Sequence, residues 1–309
     1  MNVFVAGATG AIGRPLVRML VEAGHAVTGI TRSEARAAAL GEQGAAGVVA
    51  DAFDPDPVHA AVMAARPDAV IHQLTDIPPA INPRKYEAQM TTNDRLRVQG
   101  TRNLVAAARA AGAERIVAQS IAFAYRPTGT ALWSENDRLY TDAPAGFRRS
   151  VAALESLEEQ IATAGGVTLR YGFLYGPGTA YTTEGPTADM VRRRRLPVVG
   201  TSGVWSLVHV EDAARAAVAA LDPDVAPGVY NVVDDDPAPV PEWIPAYAEA
   251  LGAPAPRRVP PWVARLAAGR IGVHMMAGMQ GASNAKARAA LGGWAPTHPT
   301  WREGFRTAL

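Results

Sequence analysis

Cysteine is absent from the chain, which rules out a disulfide framework and thiolate metal ligands; no metal site is expected. An excess of either charge is absent as well. Thirty lysines and arginines stand against 29 aspartates and glutamates, leaving a formal net charge of +1. That balance argues against a wholesale role on nucleic acid or on a membrane surface and points to small molecules as partners. Long apolar runs are lacking, and MNVFVAGATG at the amino terminus has no basic leader, so neither a membrane span nor a signal peptide is expected. A soluble cytoplasmic protein is the expectation. No segment repeats at a period of roughly 20 to 50 residues, which argues against a solenoid.

What is present is a chain of 309 residues, enough for one large domain with a smaller partner. Its first half alternates strand and helix signals. NVFVA is a short β-branched run, followed by glycines and then by RPLVRMLVEAGH, where Leu16, Val17, Leu20 and Val21 recur at helical spacing and Gly24 supplies the stop. HAVTGI, GVVAD, DAVIHQL and ERIVAQS read as the next four strands. SEARAAALGEQG, VHAAVMAARP and a long run from about Arg84 to Gly112 read as the helices between them. Because the strand runs are apolar on both faces, helices must cover each side of the sheet. The fold class is α/β, a doubly wound parallel sheet of Rossmann type.

The chemistry begins at GATGAIG, between the first strand and the first helix. Gly7 permits a tight turn, Gly10 lets the backbone approach a pyrophosphate, and Gly13 lets the helix pack on the strand. The loop Thr9, Gly10, Ala11, Ile12 and Gly13 then presents a helix amino terminus to phosphate charge. Arg32 follows the second strand, where an acidic residue would hold the ribose hydroxyls of NAD. A guanidinium there grips a 2′-phosphate, so NADP(H) is favoured over NAD(H). The alternative is a solvated arginine ahead of a helix capped by Ser33. Asp51, with Ala52, is placed to face an adenine, although DAFDPDP is equally a plain aspartate-proline turn.

Taken together, these segments resemble the extended short-chain dehydrogenase/reductase family, of the NAD(P)-dependent epimerase/dehydratase kind. GATGAIG, Asp51, VIHQLT at Val70 to Thr75, GTRNLVAAA at Gly100 to Ala108, LRYGFLYGPG at Leu169 to Gly178 and VHVEDAARA at Val208 to Ala216 stand in the family's order. The resemblance implies a dinucleotide-binding domain over residues 1–175 and a substrate-binding domain over 176–309, with segments such as GVYNVV returning to the first. It also implies cofactor contacts at Gln73, Leu74, Thr75 and Tyr171. NAKARAALGGWAPTHPTWREGF looks like the family's closing helix pair.

The family's reaction centre is a Ser or Thr after the fifth strand with a Tyr and a Lys four residues apart on the next long helix. That spacing is about one helical turn, so phenol and ammonium share a face and the ammonium lowers the phenol's pKa. Ser120 matches the hydroxyl, but FRRSVAALE places Phe147 at the tyrosine and Val151 at the lysine. Neither side chain transfers a proton. Arg97 stands at the family's asparagine, with Asn93 one turn earlier. Three explanations compete: another residue supplies the proton, the reaction needs no strong acid, or the chain binds cofactor without turnover.

Arg148 is one candidate substitute, able to stabilise an oxyanion, and is equally readable as part of a solvated helix start. Arg149 and the phenols of Tyr125, Tyr140, Tyr171 and Tyr175 lie nearby in sequence, while His72 and His209 read as core histidines. Trp133, Phe173, Met275, Met276 and Met279 would give an apolar pocket, and Arg192 to Arg195 read as a solvated helix end. The working expectation is an atypical NADP(H)-dependent oxidoreductase acting on a mostly apolar carbonyl or activated alkene, with Ser120 on the substrate oxygen and Arg148 on its charge. The alternatives are a nucleotide-sugar epimerase or dehydratase, and a non-catalytic NADP-binding sensor. Homodimerisation through the alanine-rich faces at Asn103 to Ala111 and Val151 to Ile161 is expected by analogy.

Overall fold

The computed structural model describes residues 1–129 and 132–309. Six strands enter the central sheet in turn: β1 (Asn2–Ala6), β2 (Ala26–Thr31), β3 (Ala46–Val49), β4 (Ala69–His72), β5 (Arg115–Ile121) and β6 (Val167–Tyr171). All pair in parallel in the spatial order β3, β2, β1, β4, β5, β6, and the strand Gly228–Val232 adds to the β6 edge. Parallel neighbours require crossovers, supplied by α1 (Gly13–Glu22), α2 (Glu34–Glu42), α3 (Pro55–Ala65), α4 (Tyr86–Arg95) running into α5 (Thr101–Ala110), and α6 (Ala145–Thr163).

The two-residue period of the strands sorts side chains between two cores. Val3 and Val5 of β1 pack with Leu16, Val17 and Leu20 of α1 and with the helix Val210–Ala219. Phe4 and Ala6 face the other way, onto Val58 and Val62 of α3, Leu104 and Ala108 of α5, and Leu157 and Ile161 of α6. The expected α/β class is therefore the observed one.

Two local readings are corrected. The third strand ends at Val49 rather than at Asp51, because Asp51 accepts the Phe53 N–H and Asp54 caps α3, both of which need turn geometry. The long helix is not uniform: a π-turn at Leu96–Gly100 separates α4 from α5. Such insertions place an extra residue in the helix and re-aim the side chains around it.

A second aromatic core lies among the later segments, where Trp133, Trp205, Trp243, Tyr247, Trp301 and Phe305 pack together. The carboxyl-terminal segment is tied back by Asp212, in the first turn of Val210–Ala219. Its fully buried carboxylate accepts from the Thr297 N–H (2.8 Å), the Thr297 hydroxyl (2.5 Å) and the His298 N–H (2.9 Å). Burial opposes the charge, yet these hydrogen bonds outweigh it and hold the carboxyl below its ordinary pKa.

A group depressed in the folded state stabilises above its unfolded pKa and loses that contribution as pH falls through the folded value. Asp212→Asn is therefore expected to lower stability by about 2 to 3 kcal/mol near neutrality, the scale of a hydrogen bond to a charged group. Urea unfolding should show the gap between parent and variant closing below about pH 4, near the unfolded aspartate value.

Candidate functional site

The carboxyl ends of β1, β2, β4, β5 and β6 converge on one edge of the sheet, where the Gly7–Gly13 turn, Arg32, Gln73, Ser120 and Tyr171 stand. Gly7 turns the chain with φ +93°, and its N–H side is so tight that a Cβ would lie 2.6 Å from the Gln73 carbonyl carbon. A Cβ on Gly13 would lie 2.1 Å from the Gly7 oxygen. Within the turn, the Gly10 N–H donates to Gly7 O, the Arg14 N–H to Gly10 O, and Arg14 Nε to Thr9 O. The N–H groups of Ala11 and Ile12 find no protein acceptor among the described residues, and no side chain caps α1. That is the donor set a pyrophosphate takes at a helix amino terminus.

A groove of about 450 Å³ runs outside this turn, between Ala11, Arg14 and Arg18 on one side and Pro177, Gly178 and Glu211 on the other. Gln73 lies against Gly7 and donates through Nε2 to the Tyr171 hydroxyl at 3.2 Å, while its Oε1 is buried without a partner among the described residues. That orphaned acceptor and the uncapped turn fit a bound dinucleotide. His72 is a satisfied core histidine: Nδ1 accepts the Leu74 N–H and Nε2 donates to Thr101 Oγ1. Burial, helped by the Arg97 charge, brings it down to about 4. Leu74 is half-buried and Thr75 exposed beyond it.

At the β2 end, Arg32 is exposed and its guanidinium lies 4.0 Å from Asp76 Oδ1, a loose contact that leaves most of its donors free. Asp51 is exposed in its turn, and Ala52 is buried with its carbonyl accepting from Asn103 Nδ2.

The two residues named for catalysis are not brought together. Ser120 donates to Glu158 Oε1 at 2.7 Å, and Glu158 is gripped by Arg170 through Nε (2.8 Å) and Nη2 (2.5 Å). Arg148 is exposed on the first turn of α6 and donates to Ala143 O. Ten residues of helix separate it from Glu158, about 15 Å. Phe147 and Val151 are wholly buried with Tyr86, Met90, Ala124 and Leu154. Asp94 and Arg97 form a buried pair (3.6 Å) on the α4 side, and Ser150 donates to Asp94.

Beyond Phe147 the surroundings are aromatic. Phe123 stacks on Phe173 at 4.0 Å and Phe173 on Trp205 at 3.8 Å, both nearly parallel, and Trp205 continues to Trp243. Phe123 and Phe173 remain half-buried. Trp205 Nε1 donates to Met275 O, fixing the π-turn His274–Gly278 beside the stack. Of the side chains expected to wall a pocket, Phe173, Met275 and Met276 are half-buried, whereas Trp133 and Met279 are in the core. Sequence reasoning missed Phe123, Trp205 and His274. Only His274 carried a signal, as the one polar side chain before the methionines of HMMAGMQ.

The described residues include one group able in principle to hold a cation, His209, Asp212 and His298. Its atoms are already used: His209 bonds Ala308 O and the Glu211 N–H, and Asp212 bonds Thr297 and His298. No helix among the described residues is long and apolar enough to cross a membrane.

The chain is similar to known proteins. The model of the NAD dependent epimerase/dehydratase family matches residues 3–232. The chain is 48% identical over 315 residues, covering 99% of both proteins, to a Streptomyces sp. protein named 3-diazoavenalumate denitrifying reductase. It is 30% identical to the 2-alkyl-3-oxoalkanoate reductase of Stenotrophomonas maltophilia (strain K279a), over 82% of this chain and 77% of that one. In fold it is similar to the UDP-glucose 4-epimerase of Thermus thermophilus crystallised with NAD, with a TM-score of 0.74, 25% identity, and 100% and 97% of the two chains covered.

The turn geometry makes a direct prediction. Gly13→Ala should weaken binding of either nicotinamide dinucleotide by about tenfold or more, some 1.4 kcal/mol, as read by calorimetry. Gly41→Ala, whose Cβ would meet nothing within 4 Å, should leave binding unchanged.

Proposed function

Because the chain belongs to the NAD dependent epimerase/dehydratase family and is an NAD(P)-dependent enzyme of oxidoreductase or epimerase type, we propose that it is an NADPH-dependent reductase of aryl diazonium compounds, releasing dinitrogen. The observation that carries the reading is the burial of the apolar pair Phe147 and Val151, which the sequence resemblance aligns with the family's phenol and ammonium. The name of the relative at 48% identity, a denitrifying reductase of a diazo compound, supplies the substrate class.

The chemistry favours such a pair. Bound at the Gly7–Gly13 turn, the dinucleotide supplies a hydride. A carbonyl that accepts hydride becomes an alkoxide, and protonating it is worth typically about 10²- to 10⁴-fold in rate. A diazonium ion is already cationic. On accepting hydride it becomes neutral, so no acid has to meet a developing negative charge.

A lysine ammonium at position 151 would instead repel the substrate cation, by about 4 kcal/mol for unit charges 4 Å apart at an effective dielectric near 20. Val151 removes that repulsion. Phe173 is sandwiched between Phe123 and Trp205, so the end ring of the stack, the half-buried Phe123, gives an aryl cation a face on which to stack, with the cation–π attraction that aromatic faces provide. Phe147 and Val151 also keep water from a reactive electrophile. The carbonyl reading is less favoured by these residues, since Ser120 donates to Glu158 and Arg148 is turned back to Ala143.

The preference for NADPH rests on Arg32, exposed at the end of β2 with only a 4.0 Å contact to Asp76. NADPH should bind about tenfold or more tighter than NADH, and Arg32→Ala should bring the two affinities together. Equal affinities in the parent protein would overturn that assignment.

For the activity, the purified protein is mixed with NADPH and an aryl diazonium salt, with the enzyme-free reaction subtracted. One dinitrogen should appear for each NADPH oxidised, with hydrogen replacing the diazonium group on the ring. Turnover of a 3-oxoacid or simple ketone, with the diazonium untouched, would show instead a carbonyl reductase.

A further inference from the structure

His274 opens the π-turn that follows the helix Pro261–Val273, and only 8% of it is exposed. Its ring centroid lies 5.9 Å from that of Phe147 and 5.1 Å from that of Tyr140. The next residue, Met275, is anchored to Trp205 of the aromatic stack. The imidazole therefore packs against Phe147 and Tyr140, one residue before the link of this turn to Trp205. Met275 and Leu139 belong to the packing of both the Phe147 cluster and the aromatic stack.

Its Nε2 is buried and has no hydrogen-bond partner among the described residues. A polar atom of this kind costs stability unless something else repays it, and native structures hold few of them. The turn is shaped around the ring: a Cβ on Gly278 would come within 2.8 Å of Nδ1, so the residue closing the turn has no room for a side chain. Burial brings the imidazole down to about 4, which leaves it neutral at physiological pH, with a free lone pair.

Resting on the diazonium reading above, we propose that His274 is a catalytic residue that carries one proton from nitrogen to carbon during loss of dinitrogen. Hydride added to the outer nitrogen of Ar–N≡N⁺ gives the aryldiazene Ar–N=N–H. The basic ring nitrogen of His274 takes that N–H proton, and the N–H bonding pair becomes the third bond of dinitrogen. The carbon–nitrogen bond breaks with its electron pair left on the aryl carbon. The imidazolium returns the same proton to that carbon, giving Ar–H. No proton is gained or lost overall, and His274 ends neutral as it began.

The distinctive consequence is a memory of the hydride's origin. Imidazole carries a single transferable hydrogen at that nitrogen, and burial slows its exchange with water. With NADPH deuterated at the transferred position, in ordinary water, most product should carry deuterium on the carbon that bore the diazonium group. His274→Phe keeps an aromatic ring, and His274→Gln keeps a polar side chain without a basic nitrogen. Both should lower kcat and cut deuterium retention several-fold, the lost label being replaced by solvent hydrogen.

Binding of NADPH, measured by calorimetry, should stay within about twofold of the parent in both variants, which shows that the fold and the dinucleotide site persist. Full retention in both variants, or washout already in the parent, would overturn the assignment of His274 while leaving diazonium reduction standing. Failure of the parent to release dinitrogen from any aryl diazonium would overturn the functional reading and this step with it.

Discussion

The site depends on close approach of two stretches of backbone. Gly7 meets the Gln73 backbone, and Gly13 the backbone of Gly7 and Ala8, at distances that leave no room for a Cβ, and this packing sets the helix amino terminus over the carboxyl ends of β1 and β4. The constraint is steric rather than chemical. It nonetheless produces the chemistry, because the same tight turn leaves the Ala11 and Ile12 N–H groups without acceptors among the described residues. A phosphate is the natural acceptor for donors at the positive end of a helix.

Above that turn, two neighbouring regions handle polarity in opposite ways. Between α4 and α6, Asp94 and Arg97 pair at 3.6 Å in the interior and Ser150 donates to Asp94, with burial opposing both charges and their mutual attraction offsetting part of the cost, while Asp94 Oδ1 and Arg97 Nη1 have no hydrogen-bond partner among the described residues. One face further round α6, the side chains of Phe147 and Val151 have no polar atom at all. Charged and apolar side chains thus lie side by side between α4 and α6, where Phe147 and Val151 meet Tyr86 and Met90, and the neutral His274 lies against Phe147. On the proposed reading, a cationic substrate would meet no ammonium at position 151 and would find an aromatic face close by.

Much of the sheet was legible from the sequence, and the reasons are local. The β-branched apolar run of NVFVA and the helical spacing in RPLVRMLVEAGH are set within a few residues, and each element's burial follows its own pattern. GATGAIG was legible for the same reason, since its glycines answer constraints imposed mostly inside one turn. The π-turn at Leu96–Gly100 left no comparable mark, because one inserted residue shifts the register without changing composition. Ser120 was legible as a hydroxyl at a strand end, but its partner Glu158 lies 38 residues away. No local pattern announces such a bond. His274 was hidden by its neighbours: among methionines it reads as part of an apolar wall, and its isolation becomes visible only when the fold places Phe147 and Tyr140 around it.

The Ser120–Glu158–Arg170 cluster explains how the aromatic surface is held. Ser120 and Arg170 are direct partners across β5 and β6, and Glu158 of α6 binds both, so one carboxylate fixes two strands against a helix. Three residues beyond Ser120 comes Phe123, and three beyond Arg170 comes Phe173; these are the two rings that stack at 4.0 Å. Equal offsets from a shared anchor carry the two rings to the same height past the end of the sheet. A slip of one residue between β5 and β6 would turn the side chains of one strand to the opposite face and separate the rings. On the proposed reading, the charged clamp would act from a distance by setting the surface on which an aryl group lies, and the Trp205 bond to Met275 extends that order to the turn carrying His274.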